Sequence, residues 1–246
     1  MKKALLLTCI SLLMTGAANA GTIFSQSLTG AGLLTDSNVT VHETGVVNGS
    51  SLDFTTRSVS RGALFTWDIL GASSYNDLTV TVNIDHTALN GPDNDLFIGI
   101  TDGTNVVAPT RIDGFGGAIN IFQGTVGGSA ANPSFTILPG GSTLISSLGA
   151  VDPVEYSVLL PSAGTAGTLL SVEEDGSTAT NIALTQALNT SNGLQIMVFG
   201  DGNTEDYAIN SISVTVNEAD ISEPGALAVF GLGLFTLGYM RRRRSV

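Results

Sequence analysis

The feature that most restricts the fold is a strict alternation of apolar and polar residues in short runs. Residues 78–85 read LTVTVNID, in which every second side chain is aliphatic. A period of two is that of a half-buried β-strand, because successive side chains of a strand point to opposite faces of a sheet. Residues 209–216, INSISVTV, repeat the pattern near the end of the chain. These runs predict a fold built from sheets with one buried and one polar face.

About a dozen short β-branched or alternating runs lie between residues 21 and 221, separated by Gly, Asn, Asp and Pro. This range contains no convincing amphipathic helix pattern of period 3.6. Asp102 and Gly103 lie between two apolar runs and predict a hairpin turn. The glycine-rich residues 124–128 are interpreted as a loop. We therefore predict an all-β fold, an antiparallel β-sandwich of the jelly-roll type, over residues 21–221.

Two segments carry a resemblance to a known group of folds. Residues 93–103, DNDLFIGITDG, and the closing run Tyr207–Val216 resemble lectin-like jelly rolls and carbohydrate-binding modules. The resemblance implies a two-sheet sandwich and, as one possible role, recognition of a glycan. It contains no diagnostic motif, so no individual sugar-binding residue is transferred from it.

The charge of the chain is strongly asymmetric. Of its nine basic residues only Arg57, Arg61 and Arg111 lie between residues 21 and 223, whereas all 21 acidic residues do. Three positive charges against 21 negative ones give this region a net charge of −18. Such a surface repels phosphate backbones, which argues against nucleic-acid binding. The charge is expected to keep the domain soluble, and divalent cations are its more natural partners.

The first 20 residues, MKKALLLTCISLLMTGAANA, have the three parts of a secretory signal peptide. Lys2 and Lys3 precede an apolar run, and Ala18 and Ala20 form a small-x-small cleavage site. The run is too short for a membrane span, which needs ~20 apolar residues. We predict export through the Sec machinery and cleavage after Ala20. The only cysteine, Cys9, lies in this segment, so the mature chain would have no disulfide.

Residues 222–246 read SEPGALAVFGLGLFTLGYMRRRRSV, a hydrophobic helix between a polar motif and a basic cluster. The motif is Ser222, Glu223 and Pro224, and the cluster is Arg241, Arg242, Arg243 and Arg244. The helix is short for a lasting anchor, and the positive-inside rule would keep its arginines cytoplasmic. This tail resembles the PEP-CTERM sorting signal of Gram-negative bacteria, although Ser222 replaces the first proline of that motif. The resemblance implies processing by exosortase, a membrane protease, during delivery to the cell surface or extracellular matrix.

The region between the two terminal segments offers little for catalysis. His42 and His86 lie in or beside predicted strands, and no signature of a nucleophilic or metal-dependent hydrolase is present. A carboxylate-pair glycosidase stays open, because 21 acidic residues could supply two facing acids. Trp67, the only tryptophan, is expected in the core or on a sheet face and not as a sugar platform. The chain is therefore predicted to be non-catalytic.

Two loops rich in Asp and Asn are candidate calcium sites, because Ca²⁺ takes six to eight oxygen ligands from carboxylates, amides and carbonyls. The first consists of Asp93, Asn94 and Asp95 with Asp102 in the next turn, and the second of Asp201, Asn203 and Glu205. Neither follows the spacing of an EF-hand, and Asp and Asn are also common turn residues. Calcium binding and a purely turn-forming role both stay open.

Together these features predict an exosortase-sorted protein of the cell surface or extracellular matrix, associated with extracellular polysaccharide or biofilm. The C-terminal helix would insert transiently into the inner membrane. The alternative hypothesis is that the β domain is a carbohydrate-binding module, which calcium could assist. A secreted glycoside hydrolase is the third hypothesis.

Overall fold

A computed structural model describes residues 21–54, 62–90, 95–113, 119–146, 154–162, 164–174, 177–201 and 206–219. In these ranges the chain forms fifteen strands and two short 3-10 turns, Ala31–Leu34 and Thr190–Asn192. Contacts divide the chain into a unit of Thr22–Glu218, which holds the strands, and a unit of residues 1–21 and 219–246. The second unit lies almost wholly outside the described ranges. The predicted all-β class is confirmed.

The strands form two sheets, of eight and seven strands in the described ranges. Sheet 1 contains β1 (Gly21–Thr29), β3 (Gly45–Asn48), β4 (Ser51–Phe54), β6 (Leu78–Asn90), β11 (Val154–Leu160), β12 (Ala166–Glu174), β13 (Ser177–Ala187) and β15 (Asp206–Glu218). Sheet 2 contains β2 (Val39–Val41), β5 (Ala63–Leu70), β7 (Asp95–Thr101), β8 (Asn105–Asp113), β9 (Ile119–Ser129), β10 (Asn132–Ser146) and β14 (Leu194–Asp201).

The chain crosses repeatedly between the sheets. Sheet 1 has the order β13-β12-β11-β6-β15-β4-β3, and β1 also pairs with β15. Sheet 2 has the order β10-β9-β8-β7-β14-β5-β2. Every pairing with a described register is antiparallel. The connections β5–β6, β6–β7 and β14–β15 each pass from one sheet to the other.

The main core lies between the two sheets. The four aliphatic side chains of residues 78–85 are fully buried there, as their alternation predicts. They share one cluster with the side chains of Phe65 and Trp67 from sheet 2. Trp67 is 0% exposed, which confirms that it is a core residue and removes it as a sugar platform. A shared core between two antiparallel sheets confirms the predicted sandwich.

A second hydrophobic cluster lies on the outer face of sheet 2. Phe97, Phe122, Phe135 and Phe199 pack there with four smaller apolar side chains. The rings of Phe97 and Phe199 stack with their centroids 5.0 Å apart. The residues on either side of Phe97 point into the main core, so β7 is buried on both faces. This double burial explains why residues 96–100 read as a continuous apolar run and do not alternate.

The hairpin of β9 and β10 bends across this outer face. Ser134 of β10 forms a bridge with Gly62, directly before β5, on the far side of the sheet. The backbone N–H of Val126 donates to the carbonyl oxygen of Thr104 at 2.9 Å. The hairpin tip is thereby held over the middle strands of sheet 2.

The prediction that residues 124–128 form a loop is wrong, because these residues belong to β9. Gly124 lies where the backbone of β10 comes very close. A Cβ atom at this position would lie 2.1 Å from the carbonyl oxygen of Thr136. The glycine is required by a close strand approach, a role that glycine has in strand interiors as well as in loops.

Candidate functional site

Polar side chains cross the outer face of sheet 2 beside the aromatic cluster. Thr40 of β2 lies opposite Thr66 of β5. Gln195 of β14 lies between Asp68 of β5 and Thr101 of β7. Directly opposed residues of an antiparallel pair share a face, and the residues that alternate with these point into the main core. The five side chains therefore form the polar floor of a groove.

The first part of the groove is a cavity of about 450 Å³ between this floor and the tip of the β9–β10 hairpin, which we call the hairpin cavity. Its floor includes Thr40, Thr66 and Thr101, and its roof is formed by residues 126–130 and Pro133. His42, which directly follows β2, completes one wall. The sheet thus supplies hydroxyl groups, and the hairpin supplies backbone and small side chains.

The second part is a cavity of about 580 Å³ at the end of sheet 2 where β5 and β7 finish and β14 begins, which we call the end cavity. Asn38, Asp68 and Asn192 supply its polar groups, and Phe24 supplies an aromatic ring. Gly103 and Gln195 line both this cavity and the hairpin cavity. The two cavities are therefore adjacent, and together we call them the groove.

Gln195 lies where the two cavities meet, and its hydrogen-bond partner Asp68 lines the end cavity beside it. The Nε2 atom of Gln195 donates a hydrogen bond to Oδ1 of Asp68. Asp68 is exposed and Gln195 is half-buried. Within the described residues, no hydrogen bond reaches Oδ2 of Asp68 or Oε1 of Gln195. The junction therefore presents two oxygen acceptors whose positions are held by the bond between their own side chains.

The imidazole of His42 connects the sheet with the hairpin. Its Nε2 lies 2.9 Å from Oγ1 of Thr66, and the backbone of Ala131 at the hairpin tip is near enough to the ring to favour its charged form. Burial lowers the pKa of His42, and this effect outweighs the opposing effects of the Ala131 contact and the charge of Glu43. A histidine with a lowered pKa is neutral at pH 7. The groove wall at this point is therefore polar but uncharged.

Asp102, one of the predicted calcium ligands, is a buried hydrogen-bond acceptor. Its Oδ1 accepts from the backbone N–H groups of Thr104 at 2.8 Å and Asn105 at 2.7 Å. Its Oδ2 accepts from the N–H of Asn189 at 2.8 Å. These bonds join the hairpin turn after β7 to the turn before β14. The hairpin turn that the sequence predicts at Asp102 and Gly103 is thereby confirmed. The carboxylate thus fixes the wall of the end cavity, which Asp102 lines.

Strand pairing places one member of each predicted calcium loop opposite the other. Asp201 of β14 lies opposite Asp95 of β7. The remaining members, Asp93, Asn94, Asn203 and Glu205, lie outside the described residues. Asp102 lies at the other end of β7, about 20 Å from Asp95 at the usual rise of a strand, so the structure does not bring it to this site. In the described part of the chain no three His, Cys, Asp or Glu side chains are grouped to hold a metal, and calcium stays a prediction.

The terminal predictions concern residues that the structure does not describe. They are the cleavage-site residues Ala18 and Ala20, the motif Ser222, Glu223 and Pro224, and the basic cluster Arg241, Arg242, Arg243 and Arg244. Within the described ranges, no helix has the length and apolar character that crossing a membrane requires. Export, sorting and the domain boundaries at residues 20 and 221 therefore stay predictions.

Among solved structures, several lectin-like sandwiches are similar to this chain. Peanut lectin with a 9mer peptide aligns over 80% of this chain and 98% of its own, at 12% identity and a TM-score of 0.48. A legume lectin-like domain from Entamoeba histolytica aligns over 77% and 95%, at 6% identity and a TM-score of 0.49. An engineered GH43 glycoside hydrolase aligns over 72% and 36%, at 10% identity and a TM-score of 0.42. Similarities this weak establish neither a shared family nor a shared ligand. No protein-family model and no curated protein matches the sequence.

Sequence reasoning missed most of the groove. The available signal was the polar residues Thr66, Asp68 and Gln195 at alternate positions of otherwise apolar strands. In a single strand such residues are indistinguishable from an ordinary solvent-facing row. They become the floor of a cavity only because the β9–β10 hairpin bends over them.

Proposed function

We propose that this chain is an exported, non-catalytic protein of the cell surface or extracellular matrix whose sandwich domain binds carbohydrate in the groove of sheet 2. The observation that carries the proposal is the hydrogen-bonded pair of Asp68 and Gln195 beside the junction of two cavities, each with an oxygen that accepts no hydrogen bond from another described residue. The carbohydrate-binding hypothesis is thus preferred to a purely structural role. Exosortase-dependent sorting rests on the terminal segments and would bring the domain to extracellular polysaccharide.

The chemistry of the groove suits a sugar. A sugar ring presents hydroxyl groups along its edges and C–H groups on its faces. The carboxylate of Asp68 accepts from hydroxyls, and the side chains of Thr40 and Thr66 can donate or accept. Phe24 is half-buried and is the one aromatic side chain among the described lining residues of both cavities. An apolar surface with a few fixed polar groups is the general property of small-molecule sites.

The groove does not favour a glycosidase of the two-carboxylate type. Such enzymes need two acids on either side of the bond that they cleave. Asp68 and Asp102 are the acidic residues among the described lining residues. Both oxygens of Asp102 already accept backbone N–H groups, so it is not free to act as an acid or a nucleophile. Among its described lining residues, the groove therefore offers one carboxylate, that of Asp68, that is not fully bonded to backbone N–H groups, which suits binding better than hydrolysis.

The glycan proposal is tested by an array screen of the full-length chain, followed by calorimetry with the best ligand. We expect Asp68→Asn to weaken binding about tenfold or more, because a hydrogen bond to a charged acceptor contributes about 1.5–3 kcal/mol. Glu155→Gln is the matched control, since Glu155 is also exposed and accepts from an amide side chain, but lies on β11 of sheet 1. Equal affinity of the two variants would place the binding site elsewhere.

The sorting proposal is tested in the native host. Replacing Arg241–Arg244 with serine, or deleting residues 222–246, is expected to stop delivery of the processed protein to the surface, because the stop-transfer charge is lost. A variant with four lysines keeps this charge and is expected to be delivered. Fractionation and the mass of the surface-exposed form measure the outcome. Normal processing of the serine variant would show that the tail is not a sorting signal.

Calcium is tested by thermal unfolding of the full-length chain with added calcium and with EDTA. A ligand that binds only the folded state adds about 2.7 kcal/mol at a concentration of 100 Kd. For a domain of this size we expect Tm to rise by about 5–10 °C. The double variant Asp95→Asn/Asp201→Asn is expected to lose the response, and Asp102→Asn to keep it. If the Tm of the unmodified chain is the same with calcium and with EDTA, the calcium prediction is wrong and the acidic loops serve only as turns.

A further inference from the structure

The groove is elongated along the strands that form it. The chain that runs through β2 presents three residues to the groove, Asn38, Thr40 and His42. Asn38 lines the end cavity, whereas Thr40 and His42 line the hairpin cavity. The four residue steps from Asn38 to His42 cover about 13 Å at the usual rise of a strand. The two cavities together therefore extend over more than the length of a single sugar ring.

Each cavity is large enough to hold a ligand by itself. Their volumes of about 580 and 450 Å³ both lie in the range of ~300–1,000 Å³ that is typical of small-molecule sites. A monosaccharide that filled one cavity would leave the other in contact with water only. Gln195 lines both cavities and Asp68 lines the end cavity beside it, so this pair can reach a group that passes from one cavity to the other.

The charge of the groove distinguishes between classes of glycan. Among its described lining residues there is no lysine and no arginine. Asp68, which is exposed, contributes a negative charge beside the junction. The region from residue 21 to residue 223, with three basic and 21 acidic residues, adds a long-range negative field. Uronate, sulfate or phosphate groups would be repelled without a local cation to pair with them.

We propose that the groove binds a stretch of an uncharged polysaccharide, at least two sugar units long, with one unit in each cavity. The proposal deepens the carbohydrate-binding function and rests on it. A unit in the end cavity packs against Phe24 and bonds to Asn38. A unit in the hairpin cavity bonds to Thr40 and Thr66. The Asp68–Gln195 pair binds the hydroxyl groups beside the linkage.

The test is calorimetry of the full-length chain with neutral oligosaccharides of one to four units, taken from the gluco-, manno- and galacto-series. In the best-bound series we expect the affinity to rise about tenfold or more between one unit and the longer chains, because a second set of hydrogen bonds is made. Oligogalacturonate of the same lengths, at low salt, is expected to bind at least about tenfold more weakly than that neutral series.

Two variants separate the cavities. Asn38→Ala changes the end cavity, and Thr40→Ala changes the hairpin cavity. The two positions lie two residues apart on the same face of the chain through β2, so the variants are closely matched. Both variants are expected to bind the four-unit chain about tenfold more weakly than the unmodified protein does. The affinity for the single sugar is expected to fall in only one of the two variants, the one whose cavity holds that sugar. Glu155→Gln is the control and is expected to leave both affinities unchanged.

The outcomes distinguish the two levels of the proposal. Equal affinity for one and four units would overturn the extended site but leave carbohydrate binding in place. Binding of oligogalacturonate as tight as that of the neutral chain would overturn the selection for uncharged glycans. Failure of all these neutral and acidic probes to bind would overturn this inference together with the proposed function.

Discussion

Replacing Phe97 with alanine is expected to lower the free energy of unfolding by about 3–5 kcal/mol, the usual cost of removing a buried phenylalanine ring. Phe97 is 1% exposed and lies at the centre of the outer cluster. Its ring stacks on Phe199 and meets Phe122 edge-on, with centroids 5.1 Å apart. These contacts join β7 and β14 to the β9–β10 hairpin, so their loss leaves a cavity beneath the hairpin. Denaturant unfolding measures the change.

The control for this substitution is Val46→Ala. Val46 is 52% exposed on β3, so its truncation is expected to change the stability by less than about 0.5 kcal/mol. Phe97→Leu is expected to fall between the two, because it keeps part of the apolar volume. A loss of 1 kcal/mol or less in Phe97→Ala would mean that the outer cluster collapses without cost and does not hold the hairpin. Because the hairpin roofs one cavity, Phe97→Ala is also expected to weaken glycan binding.

Replacing Gly30 with alanine is expected to cost about 3 kcal/mol or more, at the upper end of the usual penalty for overpacking. A Cβ atom on Gly30 would lie 1.9 Å from the carbonyl oxygen of Ile209 and 2.4 Å from the backbone nitrogen of Leu52. Both atoms belong to backbone, which a rotamer change cannot move. Gly30 has φ −53° and ψ −46°, angles that alanine also adopts, so the cost is steric and not conformational.

Gly71→Ala is the matched control, because nothing lies within 4 Å of the Cβ atom that it would add. Its stability is expected to stay within about 0.5 kcal/mol of that of the unmodified chain. For Gly30→Ala, thermal unfolding is expected to show a fall in Tm of about 6–12 °C. Similar stabilities of the two variants would show that the junction of β1, β4 and β15 adjusts more easily than its backbone contacts suggest.

Part of the fold was predictable because it depends on local pattern. The alternation in residues 78–85 correctly separates the buried and outer faces of β6, since the period of a strand is the same wherever the strand lies. The turn at Asp102 and Gly103 was equally local, and Gly103 has φ +84°, which glycine adopts without strain. Two strands were not anticipated, β3 and β13, the edge strands of sheet 1. Their residues are largely exposed where described, so they carry a weak apolar pattern.

The candidate site was less predictable than the fold. Asp68 and Gln195 are 127 positions apart, and pairing of β5 with β14 makes them neighbours. Asp102 was singled out as a calcium ligand, but its carboxylate bonds to N–H groups of two separate turns. Its observed role as a hydrogen-bond acceptor depends on a contact with Asn189 that no local pattern contains.

The sequence by itself determined the β class of this protein, the buried face of its longest alternating strands and the tight turn after β7, because each depends on residues within one strand or one turn. It also contains the terminal segments that predict export and sorting. Only the tertiary structure decided the strand order, the bend of the β9–β10 hairpin and the meeting of two cavities at Asp68 and Gln195. These features arise from contacts between residues far apart in the chain, and many strand orders would bury the same alternating faces equally well.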